Sequence, residues 1–383
     1  MLDSVANKQI KAAEALIPLI KPRAQEIEAA RQLPQDITQW FIDADLIRMG
    51  IAKDYGGLES NPLDTIKTIE LIARADASAA WCLMNFQTSA LLSGFVSAQC
   101  GKAVFGEAKS CVPSGVLAPV GRGKRVKGGI EVSGRWAFGS GCPNANWFFG
   151  MTVIQTGEDA SAPNRVVLAM FSEDQFQTVD NWQVSGLCGT GSGDVIVEDE
   201  FVPEGRWWSL QEEPVCEGAL FRIPLSTIFP PCVAAVSLGI ADAALDEFEQ
   251  TLNATPNGSP SHSMKEHPGV HADFARAEAL VGSARSYIYS TVEAMWDTAC
   301  GGEAVSQEER RVARLAGTHA AASCAQAIDI LFDIAGSSSM FLERPLQRYW
   351  RDAHAVTKHI QVSRKNFETM GRLRLLGKLD GQL

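Results

Sequence analysis

Three short stretches of the 383-residue chain carry the residue types from which chemistry is built. The first is GRWAFGSGCPNANW, residues 134–147, where the strand-like alternation of Trp136 and Phe138 runs into Gly139-Ser140-Gly141. A hydroxyl on a conformationally loose turn beside aromatic rings suits either a buried sheet face or a flat aromatic ligand held against that face. The second is GTGSGD, residues 189–194. A dinucleotide fingerprint must open a helix whose N-terminus meets the pyrophosphate, and here VIVEDEF follows, which reads as a strand. The loop therefore reads either as a structural turn or as a nest offering N–H groups and the Thr190 and Ser192 hydroxyls to a polar ligand. The third is Asp352 with His359 seven residues later. On a continuous helix that spacing is nearly two turns and puts both on one face, while His354 sits roughly 140° away. A histidine with a carboxylate on its own stripe is a candidate tuned acid or base; the alternatives are a surface histidine or one satisfied in the core.

Other arrangements fail on chemical grounds. Lys124 in GRGKR lacks the glycine spacing and the trailing Ser/Thr of a phosphate-binding loop, and FGSGC at 138–142 lacks the first glycine and the following helix of a nucleophile elbow. HPGVH at 267–271 is a poor metal site, because Pro268 and Gly269 break the helix that would put both rings on one face. No metal is expected. The nine cysteines are scattered without a CxxC, which reads as small buried apolar residues in a reducing, cytoplasmic compartment.

The elements that must position these residues follow from the hydrophobic period. Residues 1–110 repeat at three and four and form an N-terminal α-helical domain. Residues 111–217 switch to period two, with short runs such as GGIEVSGRWAF, WFFGMTVIQ and DVIVEDEFVP, and form a central antiparallel β domain. Residues 218–383 return to Ala-rich helical runs and form a C-terminal four-helix bundle, its last helix running through RPLQRYWRDAHAVTKHIQVSRKNFETMGRLRLL. The polar segment 255–269 reads as a mobile surface loop. The fold class is α+β. A net charge of −11 argues against a general nucleic-acid binder, and no secretory core or run of roughly 18 apolar residues is evident.

Four segments in this order, RADASAAW (74–81), GRWAFGSG, WQVSGLCGTGSGDVIVEDEFVP (182–203) and IAGSSSMFLERPLQRYWRDA (334–353), resemble the acyl-CoA dehydrogenase superfamily. The resemblance spans nearly the whole chain and implies the α, β, α-bundle order and a homotetramer. The dehydrogenases need a carboxylate base. In one arrangement it follows the RDA aspartate by eight residues, where this chain has Ile360; the other lies on the first bundle helix, yet residues 218–241 contain no Asp or Glu. The Arg-x-x-Phe-Gly segment that grips FAD is missing after Leu252. Without a base, α,β-dehydrogenation has no first step.

The chain is more similar to the two-component flavin-dependent aromatic monooxygenases of this fold, through Trp-x-Phe-x-Ser-Gly at 136–141, GTGS at 189–192 and a histidine seven residues after the RDA aspartate. That resemblance implies an oxygenase component that takes reduced FMN or FAD from a separate NAD(P)H:flavin reductase. It further implies a C4a-hydroperoxyflavin that hydroxylates a small phenolic or indolic substrate. The roles implied are catalytic for His359, taking a substrate proton, and for Ser140, holding the flavin adduct. Trp136, Phe138, Ser140, Thr190 and Ser192 would bind the flavin, and Gly336, Ser337 and Ser338 would approach its tail from a neighbouring subunit. Trp81, Asn85, Ser89 and Asn144 would line the substrate pocket. Phenol hydroxylases of this type often carry His where Ser89 stands and Asp-His where Pro143-Asn144 stands. Those departures leave room for an indole or another neutral heteroaromatic. An FAD-dependent acyl-CoA dehydrogenase or oxidase, and a non-catalytic assembly subunit, are the alternatives.

Overall fold

A computed structural model describes residues 2–106, 111–155, 164–254 and 262–378. The N-terminal part is helical: α1 (Leu2–Ile20), α2 (Ala24–Ala30), α3 (Gln35–Asp43), α4 (Pro62–Ala75), α5 (Ala77–Ala90) and α6 (Ala98–Phe105). Asp76 separates α4 from α5 in extended geometry and caps the second, its carboxylate accepting from the Ala79 N–H at 2.8 Å. Helix α5 is buried almost all round, so it is a core helix with no solvent stripe.

Seven strands follow: β1 (Pro113–Val126), β2 (Gly129–Trp136), β3 (Trp147–Gln155), β4 (Arg165–Ser172), β5 (Gln177–Thr178), β6 (Val195–Pro203) and β7 (Trp207–Trp208). They form one sheet of order β5-β6-β2-β1-β3-β4-β7. The expected antiparallel sheet is in fact mixed, because β1 and β3 pair parallel, from Pro113↔Trp147 to Lys124↔Gln155. The whole β2 hairpin arm lies between them in sequence, so β3 re-enters on the other side of β1 running in the same direction.

The bundle is built from α7 (Leu225–Ala254), the short α8 (His262–Lys265), α9 (Pro268–Cys300), α10 (Gln307–Ala335), α11 (Pro345–Val356) and α12 (Lys365–Leu376). Two expectations change here. The last helix is not continuous: α11 stops at Val356, and a 3-10 turn at Ile360–Val362 precedes α12. Pro268 does not interrupt a helix but opens α9, with His267 as its cap accepting from the Gly269 N–H. The ring of His271 meets the Lys265 carbonyl instead. Of the segment read as a mobile loop, residues 255–261 lie outside the described residues. Helix α7 is long and apolar enough to cross a membrane, but 83% of its most apolar stretch is buried inside the molecule, as befits a core helix.

Two cores result. One is shared by the N-terminal helices, the bundle and one face of the sheet, including Phe149, Leu168 and Met170. The other is the opposite sheet face, with Trp136, Phe148 and Phe171 at its centre. Trp136 is fully buried there, its Nε1 donating to the Met151 carbonyl at 3.0 Å. Gly121, Gly134 and Gly150 leave room for the indole; a Cβ on Gly150 would meet its Cζ2 at 2.7 Å.

Candidate active site

The turn after β2 is stitched to the loop before β6. Gly139 N–H donates to the Gly193 carbonyl and Gly141 N–H to the Thr190 carbonyl, both at 2.9 Å. Gly141 has φ +72°, and a Cβ there would meet Phe86 Cε1 at 2.7 Å, so the corner requires glycine. This stitching carries Ser140, Thr190 and Ser192, distant in sequence, to one buried point beneath Trp81 of α5.

The three hydroxyls form an ordered chain. Trp81 Nε1 lies 2.9 Å from Ser140 Oγ, Ser140 Oγ 2.7 Å from Ser192 Oγ, Ser192 Oγ 2.6 Å from Thr190 Oγ1, and Thr190 Oγ1 2.9 Å from the Leu187 carbonyl. An indole N–H only donates and a carbonyl only accepts, so both ends are polar-fixed. Every proton between them must run one way: Trp81 donates to Ser140, Ser140 to Ser192, Ser192 to Thr190, and Thr190 to Leu187. The Ser140 proton therefore points away from any ligand, and its oxygen retains one lone pair.

The chain ends on a constrained residue. Leu187 has φ +54°, a left-handed conformation uncommon for a branched side chain. Its carbonyl also accepts from Trp182 Nε1 at 3.0 Å, and its N–H donates to Asp352 Oδ1 at 2.6 Å. Asp352 is buried, and that burial pushes its carboxyl up to about 7, opposed by the Leu187 hydrogen bond. Asp352 is thus the anchor of the Leu187 loop and not the partner of His359.

His359 lies beyond the end of α11, so the helical stripe expected to join it to Asp352 does not exist. It caps the 3-10 turn, its Nδ1 accepting from the Gln361 N–H at 3.4 Å. Its ring stands edge-on to Trp81, centroids 5.3 Å apart. Desolvation, reinforced by the Arg314 charge, lowers its pKa to about 4, so the ring is neutral at pH 7. A neutral imidazole whose Nδ1 accepts carries its proton on Nε2. The expected base is therefore presented as a hydrogen-bond donor.

The remaining expected residues divide sharply. Asn85 and Ser89 continue the Trp81 stripe along α5 at four-residue intervals, and Asn85 Oδ1 accepts from Ser89 Oγ at 3.2 Å. Phe138 is 69% exposed with φ +65° and stands edge-on to Trp182, centroids 6.0 Å apart. A bulky residue held in that conformation and exposed needs a reason, and a flat ligand face supplies one. Trp136 faces the sheet core and not the turn, so alternation put it on the buried side. Thr190 and Ser192, expected at a flavin edge or phosphate, are buried with their hydroxyls spent on the chain. Asn144 Nδ2 donates to the Leu33 carbonyl at 3.0 Å and ties the turn to the segment before α3. Gly336, Ser337 and Ser338 are exposed at the end of α10, with Ser338 Oγ bonded to the Ala335 carbonyl. Trp182, Leu187 and Ser114, whose Oγ donates to the Ser140 carbonyl at 2.7 Å, were not legible as site residues, since nothing local in sequence marks them.

One prediction follows from Asp352. Its folded-state pKa lies above the unfolded value, so the folded state holds the extra proton between about pH 4 and pH 7. Its contribution to stability is full below that window and is lost as pH rises through about 7. Asp352→Asn keeps an acceptor for the Leu187 N–H and is expected to flatten the urea-unfolding stability across that range. An unchanged slope would contradict the assignment.

The family described as the acyl-CoA dehydrogenase N-terminal domain matches residues 11–99, and that of its C-terminal domain matches 231–364. The oxygenase subunit HsaA, a flavin-dependent monooxygenase of Rhodococcus jostii, is 30% identical over 356 residues, covering 90% of this chain and 92% of the relative. The indole-3-acetate monooxygenase of Pseudomonas putida is 29% identical over 364 residues, covering 94% and 92%. Among solved structures, the 3-HSA hydroxylase from Rhodococcus sp. RHA1 superposes with a TM-score of 0.90 at 27% identity, covering 98% of each chain.

Proposed function

Because the chain belongs to the acyl-CoA dehydrogenase family, on its branch of flavin-dependent monooxygenase oxygenase subunits, we propose that it hydroxylates a small aromatic or heteroaromatic substrate at the Trp81–Ser140–His359 corner. The observation that carries the site is the one-way hydroxyl chain that runs from Trp81 through Ser140 to the Leu187 carbonyl. Reduced FMN or FAD, when bound, supplies the electrons that activate O2 for transfer of one oxygen atom to the ring. The residues fit such a group: Phe138 offers an exposed aromatic ring beside the half-buried Trp182, and Ser140 Oγ offers one fixed lone pair to a ring N–H. Ser140 thus acts as an acceptor whose own proton cannot turn toward the ligand. Trp81 and the buried face of α5 keep water from that corner, which favours oxygen transfer over loss of H2O2. His359 Nε2–H donates to the substrate and polarises it; it does not remove a proton in this tautomer.

A separate NAD(P)H:flavin reductase is the partner we assign, supplying reduced flavin. Self-association into a tetramer is supported by apolar residues that this chain leaves in solvent, among them Leu342, Ile360 and Leu375, at 75%, 74% and 83% exposure. In that assembly Gly336, Ser337 and Ser338 would reach a neighbouring flavin. A cytoplasmic setting is supported by nine free cysteines, of which only Cys300 is exposed and Cys188 half-buried.

The test is rapid mixing of the protein and reduced FMN with O2, following return of the oxidised flavin absorbance. Reoxidation slower than that of free flavin, with hydroxylated product when an indole or phenol is present, is the expected outcome. Reoxidation at the free rate with no product from any aromatic would end the oxygenase reading.

A further inference from the structure

The N-terminal end of α7 carries an unusual defect. Pro230 and Pro231 lie inside the helix and have no N–H, so the carbonyls of Ser226 and Thr227 lose their i+4 donors. Arg314 of α10 repairs one of them, its Nη2 donating to the Ser226 carbonyl at 3.2 Å. That single bond uses one of five guanidinium N–H groups. Among the described residues no carboxylate pairs with Arg314, and burial lowers its pKa, so this is a half-buried cation held without a counter-ion. Arg285 of α9 differs: it is clasped by Glu70 and Asp242.

The same end of the bundle packs against the 3-10 turn that His359 caps, since that turn contacts both α7 and α10. Asn366 Nδ2 fastens the junction by donating to Thr318 Oγ1, one turn beyond Arg314. The Arg314 charge is felt at the His359 ring, which in turn meets Trp81. His359 Nε2–H, the spare Arg314 N–H groups and Asn85 Nδ2, which has no partner among the described residues, are all donors. The nearest acid in sequence, Asp352, is turned away and bonded to Leu187.

We propose that Arg314 is the specificity-determining residue of the substrate pocket, selecting aromatic substrates that bear a carboxylate side arm. This rests on the oxygenase reading above and adds the substrate class to it. A half-buried guanidinium with unused donors and no counter-ion favours an anion that reaches it, so the carboxylate supplies the missing counter-ion and the aromatic ring is left against Trp81. A matched neutral ligand would leave those donors unpaired.

The experiment compares indole-3-acetate with indole-3-acetamide, equal in shape and different in charge. Binding is measured anaerobically by equilibrium dialysis in the presence of reduced FMN, and turnover is measured separately with a flavin reductase. Wild-type protein is expected to bind the acid about 10- to 100-fold more tightly than the amide. Arg314→Gln, which keeps a donor for the Ser226 carbonyl, should bring the acid down to the level of the amide while moving the amide less than about threefold. In turnover the loss should fall on KM for the acid and spare kcat, and Arg314→Lys should restore part of the preference. Equal binding of acid and amide by the wild type overturns the proposal, whatever the variants do. So does a Gln variant that loses both ligands by the same factor. If neither ligand binds while the protein still slows reduced-flavin oxidation, the carboxylate proposal falls and the oxygenase reading stands; oxidation at the free rate strikes the oxygenase reading itself.

Discussion

Replacing Ser140 by alanine is expected to lower the yield of hydroxylated product per NADH by about 10- to 100-fold, with the lost electrons appearing as H2O2. The size follows from what Ser140 does in the structure. Its oxygen stands at the Trp81 end of the hydroxyl chain and keeps one lone pair after accepting from Trp81 Nε1 and donating to Ser192. Alanine removes that acceptor and leaves Trp81 Nε1 and Ser192 facing a buried void. Ser192→Ala provides the contrast. It keeps the Ser140 oxygen but removes the acceptor for its proton, so Ser140 can rotate, and a loss of about two- to fivefold is expected. Product and H2O2 quantified together read both variants. A Ser192 variant as impaired as the Ser140 variant would mean that the chain matters only as packing.

The largest effect on stability is expected at Arg285. Arg285 of α9 donates to Glu70 of α4 at 2.7 Å and to Asp242 of α7 at 2.6 Å, and Tyr289 donates to the other Glu70 oxygen at 2.7 Å. This cluster joins the N-terminal helices to the bundle inside the shared core. Glu70 is only 6% exposed, and burial pushes its carboxyl pKa upward. Arg285→Ala leaves that acid without its cation and should cost about 3–5 kcal/mol. Tyr289→Phe, which removes one neutral donor and leaves the ion pair, should cost about 1 kcal/mol. Urea unfolding measures both; a cost below that of the tyrosine change for Arg285→Ala would mean that water reaches the cluster and the pair is not buried.

The order of helices, sheet and bundle was legible because the hydrophobic period changes at the boundaries, from three-and-four to two and back. Within elements the same signal was weaker. Alternation placed Trp136 and the turn after it on one hairpin arm, but period two cannot say which face is wet, and Trp136 took the inner one. The Asp352–His359 pairing failed because apolar spacing carried the helix past Val356, where the chain turns into a 3-10 segment and His359 becomes its cap. Ser140, Thr190 and Ser192 were legible as polar residues in glycine-rich turns. Their mutual hydrogen bonds were not, because residues some fifty positions apart meet only after the β2 turn docks on the loop before β6. Arg314 left no motif; its local signal was the Pro230-Pro231 pair on a neighbouring helix, whose freed carbonyl called for an outside donor.

The most direct measurement is a single turnover under heavy-isotope O2, with protein, reduced FMN and one equivalent of an indole or phenol substrate, followed by mass analysis of the product. The expected result is one labelled oxygen atom in the aromatic product, with its yield falling in the Ser140→Ala protein and H2O2 rising to match. Unlabelled product, or full conversion of the reduced flavin to H2O2 by the wild-type protein with every aromatic offered, would contradict an oxygenase site at Trp81, Ser140 and His359.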